Sequence, residues 1–285
     1  MSAVLQAIAR KAASEGAQTA VSDGRSALSY GELHAAILQT AEAIGSRCPG
    51  SQPVASLLDN SPAWIILDLA LLHLGRVHVP LPLFFSEEQR RHALASAGAG
   101  HLLVAAGPAA MVVPVAGINL SVVPLQAPAV PLPKGTAKIT YTSGSTGEPK
   151  GVCLSQEMLE ETAQSICTVV GAQHATCHVA VLPLAVLLEN VAGLYAVLLA
   201  GGTYVAPPLT TLGFAKPFAP DFLQMAESLR RLKASSAGAV GLGRCAGSAG
   251  LRGGCLVLRD RGLASAPQVG VKGIHDRDGF VRGAA

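Results

Sequence analysis

The sequence is poor in aromatic and charged residues. Only 4% of its 285 residues are Phe, Trp or Tyr and only 14% are charged, with a formal net charge of +3. No long basic run interleaves with aromatics, so no nucleic-acid partner is expected. The chain is not a disordered polar tract either, because half of it is hydrophobic, enough to bury a sizeable core. The six cysteines, Cys48, Cys153, Cys167, Cys177, Cys245 and Cys255, form no CxxC pair and no zinc spacing with the histidines. They read as small buried apolar residues. The chain does not open with the basic, apolar and small-residue succession of a signal peptide. A reducing, cytoplasmic location is the expectation from these two features.

An unbroken long apolar run is also lacking. Mean hydropathy is high, at +0.42, and the best candidate span runs from Val179 to Ala200. It contains Pro183, with Glu189 and Asn190 near its middle. A membrane helix needs about 20 predominantly apolar residues, and a carboxylate at mid-depth costs roughly 3 kcal/mol. The run therefore reads as a buried helix, and no transmembrane span is expected.

What is present is an alternation of strands and helices. Ser2 to Ala13 has helical spacing, with Val4, Leu5, Ile8 and Ala12 on one side. Asp23-Gly24 is a turn signal between two short extended pieces. Ser29 caps a helix carrying Leu33, Ile37, Ala41 and Ile44, with Glu32 in its first turn. Val54 to Leu58 reads as a strand. Pro62 suits the start of a helix that is apolar on most sides through Leu74 and ends at Gly75. Val77 to Pro80 and Leu102 to Val104 read as strands around a helix opened by Ser86. A variable connection from Ala105 to Pro133 leads to strands at Lys138 to Thr142 and Val152 to Leu154, then to a helix from Ser155 to Val170. This rhythm predicts a layered α/β fold with mixed sheets.

Between those last two strands lies the chemistry-bearing stretch Thr142-Ser143-Gly144-Ser145-Thr146-Gly147-Glu148-Pro149-Lys150-Gly151. Glycines let a backbone turn tightly and approach a ligand, and successive N–H groups in such a turn form a concave anion site. Thr142, Ser143, Ser145 and Thr146 add hydroxyls, and Lys150 adds a mobile positive charge. The stretch is a candidate phosphate cradle, with Gly144 and Gly147 in backbone conformations that other residues resist. It is not a Walker A loop, which needs GxxxxGK followed by Ser or Thr. Here Pro149 intervenes and Gly151 follows the lysine.

The run Tyr141 to Gly151, Y-T-S-G-S-T-G-E-P-K-G, resembles the signature phosphate loop of the adenylate-forming (AMP-binding) superfamily. That superfamily includes acyl-CoA synthetases, luciferases and peptide-synthetase adenylation domains. Flanking segments are similar to family landmarks as well: Asp23-Gly24 with Leu28 to Leu33, Asn60 to Trp64, and Leu74 to Pro80. Leu182 to Ala185 with Leu188-Glu189-Asn190, then Ala200 to Thr203, resembles the segment after the loop in a form closer to long-chain acyl-CoA synthetases. The resemblance covers roughly residues 1 to 235. It implies a two-step reaction in which a carboxylic acid, here a fatty acid, is activated by ATP with Mg²⁺ as acyl-AMP and then passed to CoA. It places nucleotide binding on Thr142, Ser143, Gly144, Ser145, Thr146, Gly147 and Lys150.

The sequence departs from the family in several places. Ala185-Val186 stand where an aromatic or His is usual after "LPL", near the acyl and nucleotide pocket, and Gln156 stands where His is common. No segment resembles the family's later Thr-Glu pair, ribose-binding Asp motif or terminal lysine motif. After Ala237 about a quarter of the residues are glycine, against a usual ~7%. The apolar periodicity also fades there. Residues 1–237 are therefore expected to form a partial adenylation domain, and 238–285 an atypical Gly/Arg-rich tail, either translated out of frame or poorly ordered. Two alternatives to an incomplete acid–thiol ligase remain open: a nucleotide- or acyl-binding fragment without turnover, and a non-functional truncated product.

Overall fold

The computed structural model describes residues 2–105, 111–142, 148–171, 175–214, 221–239, 254–259 and 262–265. Helix starts follow local chemistry. Helix α1 (Ala3–Glu15) begins at Ser2, whose side chain accepts from the Leu5 amide. Helix α2 (Tyr30–Arg47) has a reciprocal capping box between Ser29 and Glu32. Helix α4 (Glu87–Ser96) has the same box between Ser86 and Gln89. Helix α5 (Gln156–Val170) starts at Ser155. Helix α3 (Pro62–Leu74) takes proline in its first turn and ends at Gly75, whose φ of 63° is the left-handed conformation that glycine adopts without strain.

Two seven-stranded mixed sheets form. The first contains β1 (Thr19–Ser22), β2 (Ala27–Ser29), β10 (Cys177–Val179), β11 (Thr203–Val205), β12 (Ser236–Ala239), β13 (Gly254–Arg259) and β14 (Gly262–Ser265), in the order β14-β13-β12-β10-β11-β1-β2. The second contains β3 (Val54–Leu57), β4 (His78–Pro80), β5 (His101–Val104), β6 (Val112–Val115), β7 (Ile118–Pro124), β8 (Thr136–Thr142) and β9 (Lys150–Ser155), in the order β6-β7-β5-β3-β4-β8-β9. Strands next to the intervening helices pair in parallel, as β3 does with β4 and β5, and hairpins such as β8–β9 pair antiparallel.

The main core joins the facing sides of both sheets through α1, α2, α3 and α5. The outer face of the second sheet packs Ala55, Val79, Ile139 and Tyr141 against Ala93 of α4. The outer face of the first packs Val179, Val205 and Ala237 against Met225 and Leu229 of α7 (Phe222–Arg231). The layered α/β architecture with mixed sheets is the one expected.

The apolar run from Val179 to Ala200 differs from the single helix its composition predicted. Strand β10 ends at Val179, and an irregular stretch follows around Pro183, which has no N–H to donate. A π-helix then runs from Glu189 to Tyr195 and continues as α6 (Ala196–Leu199). Among the described residues no helix is long and apolar enough to cross a membrane. Of the tail, β13 and β14 pair antiparallel beside β12. Apart from Gly238 and Ala239, which end β12, its remaining residues lie outside the described ones.

Candidate functional site

The phosphate-loop stretch closes the β8–β9 hairpin. Thr142 and Lys150 are register partners at its open end, and both are exposed, as is Glu148, while Pro149 is buried. The hydroxyl and the ammonium thus flank the loop from opposite strands. Ser143, Gly144, Ser145, Thr146 and Gly147 lie outside the described residues. The conformations expected of the two loop glycines lie there too.

The hairpin is held at its base from both faces. Alternation along β8 puts Lys138, Thr140 and Thr142 on one face and Ile139 and Tyr141 on the other. Tyr141 donates its hydroxyl to the Ala93 carbonyl at 2.8 Å and meets Ser96 Oγ at 2.8 Å. Gly151 lies so close that an added Cβ would stand 3.0 Å from Tyr141 Cζ. Only one residue pair, His78 with Lys138, joins β8 to β4.

On the Lys138 face the sequence reading missed a buried charge cluster. Lys138 Nζ lies 2.8 Å from Asp68 Oδ1, and both residues are buried. His78 Nδ1 donates to the same oxygen at 2.6 Å, and Ser56 Oγ meets His78 Nε2 at 2.8 Å. Asp68 Oδ2 accepts from Tyr195 at 2.8 Å and from Asn190 Nδ2 at 3.2 Å. Lys138 also donates to Asn190 Oδ1 and lies 5.0 Å from the Tyr195 ring centroid. Burial alone would raise the Asp68 pKa, but the Lys138 and His78 contacts outweigh it and hold the carboxyl well below the usual range. Burial lowers the pKa of His78 and of Lys138, against the pull of Asp68. Burial also pushes the Tyr195 hydroxyl well up. A signal was available in the sequence: Asp68 is a lone carboxylate inside the apolar run PAWIILDLALLHL, and a buried charge needs a partner.

The π-helix carries a second cluster. Glu189 Oε1 lies 3.1 Å from His178 Nε2 and accepts from Tyr204 at 2.8 Å, while Oε2 accepts from the Val181 and Leu182 amides at 3.3 and 3.1 Å. His178 Nδ1 meets Ser236 Oγ at 2.9 Å. Beside it an apolar cleft opens between α5 and the π-helix, lined by Ile166, Cys167, Val170, Ala192, Ala196 and Val197. Among the described residues no group of three His, Cys, Asp or Glu is placed to hold a metal ion.

Comparison with known proteins fits this arrangement. The sequence profile of the AMP-binding family, described as "AMP-binding enzyme", matches residues 8–230. A feruloyl-CoA synthase from an Amycolatopsis species is 35% identical over 149 residues, which cover 48% of this chain and 30% of that protein. Tenellin synthetase of Beauveria bassiana is 32% identical over 180 residues, 56% of this chain and 4% of its own length. The O-succinylbenzoate Coenzyme A synthetase of Bacillus subtilis, solved in complex with AMP, superposes with a TM-score of 0.63 at 20% identity. The match covers 80% of this chain and 60% of that one, and at this identity it is a likeness of fold.

Proposed function

Because this chain belongs to the AMP-binding enzyme family, we infer that it takes part in ATP-dependent activation of a carboxylic acid, with a fatty acid as the substrate class and CoA as the acceptor. The observation that carries this reading is the β8–β9 hairpin. It presents Thr142 and Lys150 side by side, exposed, at the two ends of a loop rich in glycines and hydroxyls. Such a set of donors matches the anionic oxygens of a triphosphate.

In the first step a carboxylate oxygen attacks the α-phosphorus of ATP and the bond to pyrophosphate breaks. In the second a thiolate attacks the acyl carbon and AMP leaves. The first step brings two anions together, so positive charge and oriented donors must offset their repulsion. On this reading Thr142, Ser143, Gly144, Ser145, Thr146 and Gly147 cradle the phosphates and Lys150 supplies the cation. Mg²⁺, bound together with the triphosphate, would supply further neutralisation of its charge. The fatty class is supported by the Leu182 to Ala185 segment, whose form is closer to long-chain acyl-CoA synthetases. It is also supported by the Leu188-Glu189-Asn190 segment noted above.

A second reading is nucleotide binding at the hairpin loop without turnover. Both readings are tested together by carboxylate-dependent exchange of labelled pyrophosphate into ATP, alongside direct ATP binding. Exchange lost in Thr142→Ala and Lys150→Ala supports the ligase. Binding without exchange supports the second reading. ATP binding unchanged by either substitution refutes the loop assignment.

A further inference from the structure

The β8–β9 hairpin reaches the rest of its sheet through a single backbone pair, yet the proposed nucleotide site is carried at its far end. Tyr141 ties one face of the hairpin to α4, and Lys138 anchors the other. Its ammonium meets Asp68 of α3 at 2.8 Å, Asn190 of the π-helix, and the Tyr195 hydroxyl at 3.3 Å. His78, the backbone partner of Lys138, binds the same Asp68 oxygen. Lys138 and Thr142 stand on one face of β8, roughly 13 Å apart at about 3.3 Å per residue. One strand segment therefore joins the loop's first hydroxyl to a buried ion pair whose hydrogen-bond partners Asn190 and Tyr195 sit on the π-helix. π-Helical turns often occur at functional sites. This one also borders the apolar cleft, through Ala192.

We propose that Asp68 and Lys138 are positioning residues that couple the phosphate loop to the π-helix beside the cleft. Neither touches nucleotide. The pair sets where Thr142 stands relative to the helix that borders the cleft, so occupancy of the loop stiffens residues 189–199. The inference rests on the reading of the loop as the phosphate site. It goes beyond that reading in assigning a role to a buried cluster the loop motif does not contain.

Hydrogen–deuterium exchange on the full chain tests it, with and without Mg-ATP. The samples are the wild type, Lys138→Met, Asp68→Asn and the charge-free double variant Asp68→Leu/Lys138→Met. Without nucleotide, Lys138→Met should speed exchange in residues 136–142 and 189–199 together, by about tenfold or more, while α7 is unchanged. With ATP, the wild type should gain protection in 189–199. The single variants should lose that gain while residues 150–155 still respond to ATP. The double variant removes buried charge altogether, so it serves if a single variant unfolds. Folded, and still protected by ATP across 189–199, it would overturn the proposal. So would a Lys138→Met effect confined to the hairpin. No ATP response anywhere in the wild type would instead refute the phosphate-site reading, and the nucleotide-free comparison would then decide the coupling.

Discussion

Two carboxylates, Asp68 and Glu189, are each 1% exposed, and the π-helix touches both, but they are held in opposite ways. Asp68 is paired with an ammonium and a histidine from neighbouring strands, so its partners come from distant parts of the chain. Glu189 has no lysine or arginine beside it among the described residues. It is held by two nearby backbone amides, a tyrosine and a histidine. The first arrangement ties separate elements together through charge. The second folds a local segment around one carboxylate. A buried ion pair is not automatically stabilising, because both charges must leave water. Its value here lies in fixing which elements meet.

The largest break in this comparison should come from Asp68→Leu. It leaves Lys138 charged and unpaired in the core, and breaking a buried pair from one side costs about 3–5 kcal/mol. Adding Lys138→Met should recover most of that loss. Chemical denaturation of the two variants and the wild type measures both. If the double variant is no more stable than Asp68→Leu, then Asp68 matters through Tyr195, Asn190 and His78 and not through the ion pair.

Most elements framing the Asp68 cluster are legible in the sequence; the π-helix, the strands around Glu189 and the clusters themselves are not. Ser29, Ser86 and Ser155 announce helix starts because a cap is a contact over three residues, and Pro62 and Gly75 bound α3 for equally local reasons. The two strands around the loop were readable from short apolar runs. The cluster around Asp68 gathers residues 56, 68, 78, 138, 190 and 195, and no periodicity links them. In the sequence Glu189 and Asn190 read as obstacles to a membrane span and as part of a family-like segment, and neither reading names their partners. Trp64 is buried beside the Asp68 cluster, 5.5 Å from His78 between ring centroids. The π-helix was illegible because its hydrogen bonds skip one residue further than those of an α-helix, and side-chain periodicity barely records this.

A smaller break, on the Glu189 side, should come from Gly193→Ala. An added Cβ would stand 2.4 Å from Glu189 Oε1 and 3.1 Å from His178 Nε2. A free carboxylate would swing aside, but this one is held by four partners, so the substitution should cost about 2 kcal/mol as overpacking does. Thermal unfolding checks it, and a neutral result would show that Glu189 has slack. Smaller again is the contrast between the tyrosines. Tyr204→Phe removes a donor from a carboxylate without a cation and should cost about 2 kcal/mol, as hydrogen bonds to charged groups do. Tyr195→Phe leaves Asp68 with Lys138 and His78 and should cost about 1 kcal/mol. Equal losses would mean that the lysine does not relieve the demand on Asp68.

The smallest effect is one of pH, and its sign follows from which state binds more protons. His78 titrates below its ordinary 6.5 in the folded chain because burial disfavours the imidazolium more than Asp68 favours it. Between that lowered pKa and 6.5 the unfolded chain carries a proton on this histidine and the folded chain does not. Stability therefore falls as the pH drops through this window. His101, whose pKa is lowered by burial and by Arg76, acts in the same direction. Asp68 adds a further loss only as the pH falls below the ordinary 3.8 toward its depressed folded value, because its pairing then has to be given up. Unfolding midpoints measured from pH 7.5 down to 5 should therefore decline before any carboxylate at the ion pair is protonated. His78→Gln should flatten that decline without abolishing it, with the remainder following His101. A decline of unchanged steepness would move the acid sensitivity away from the Asp68 cluster.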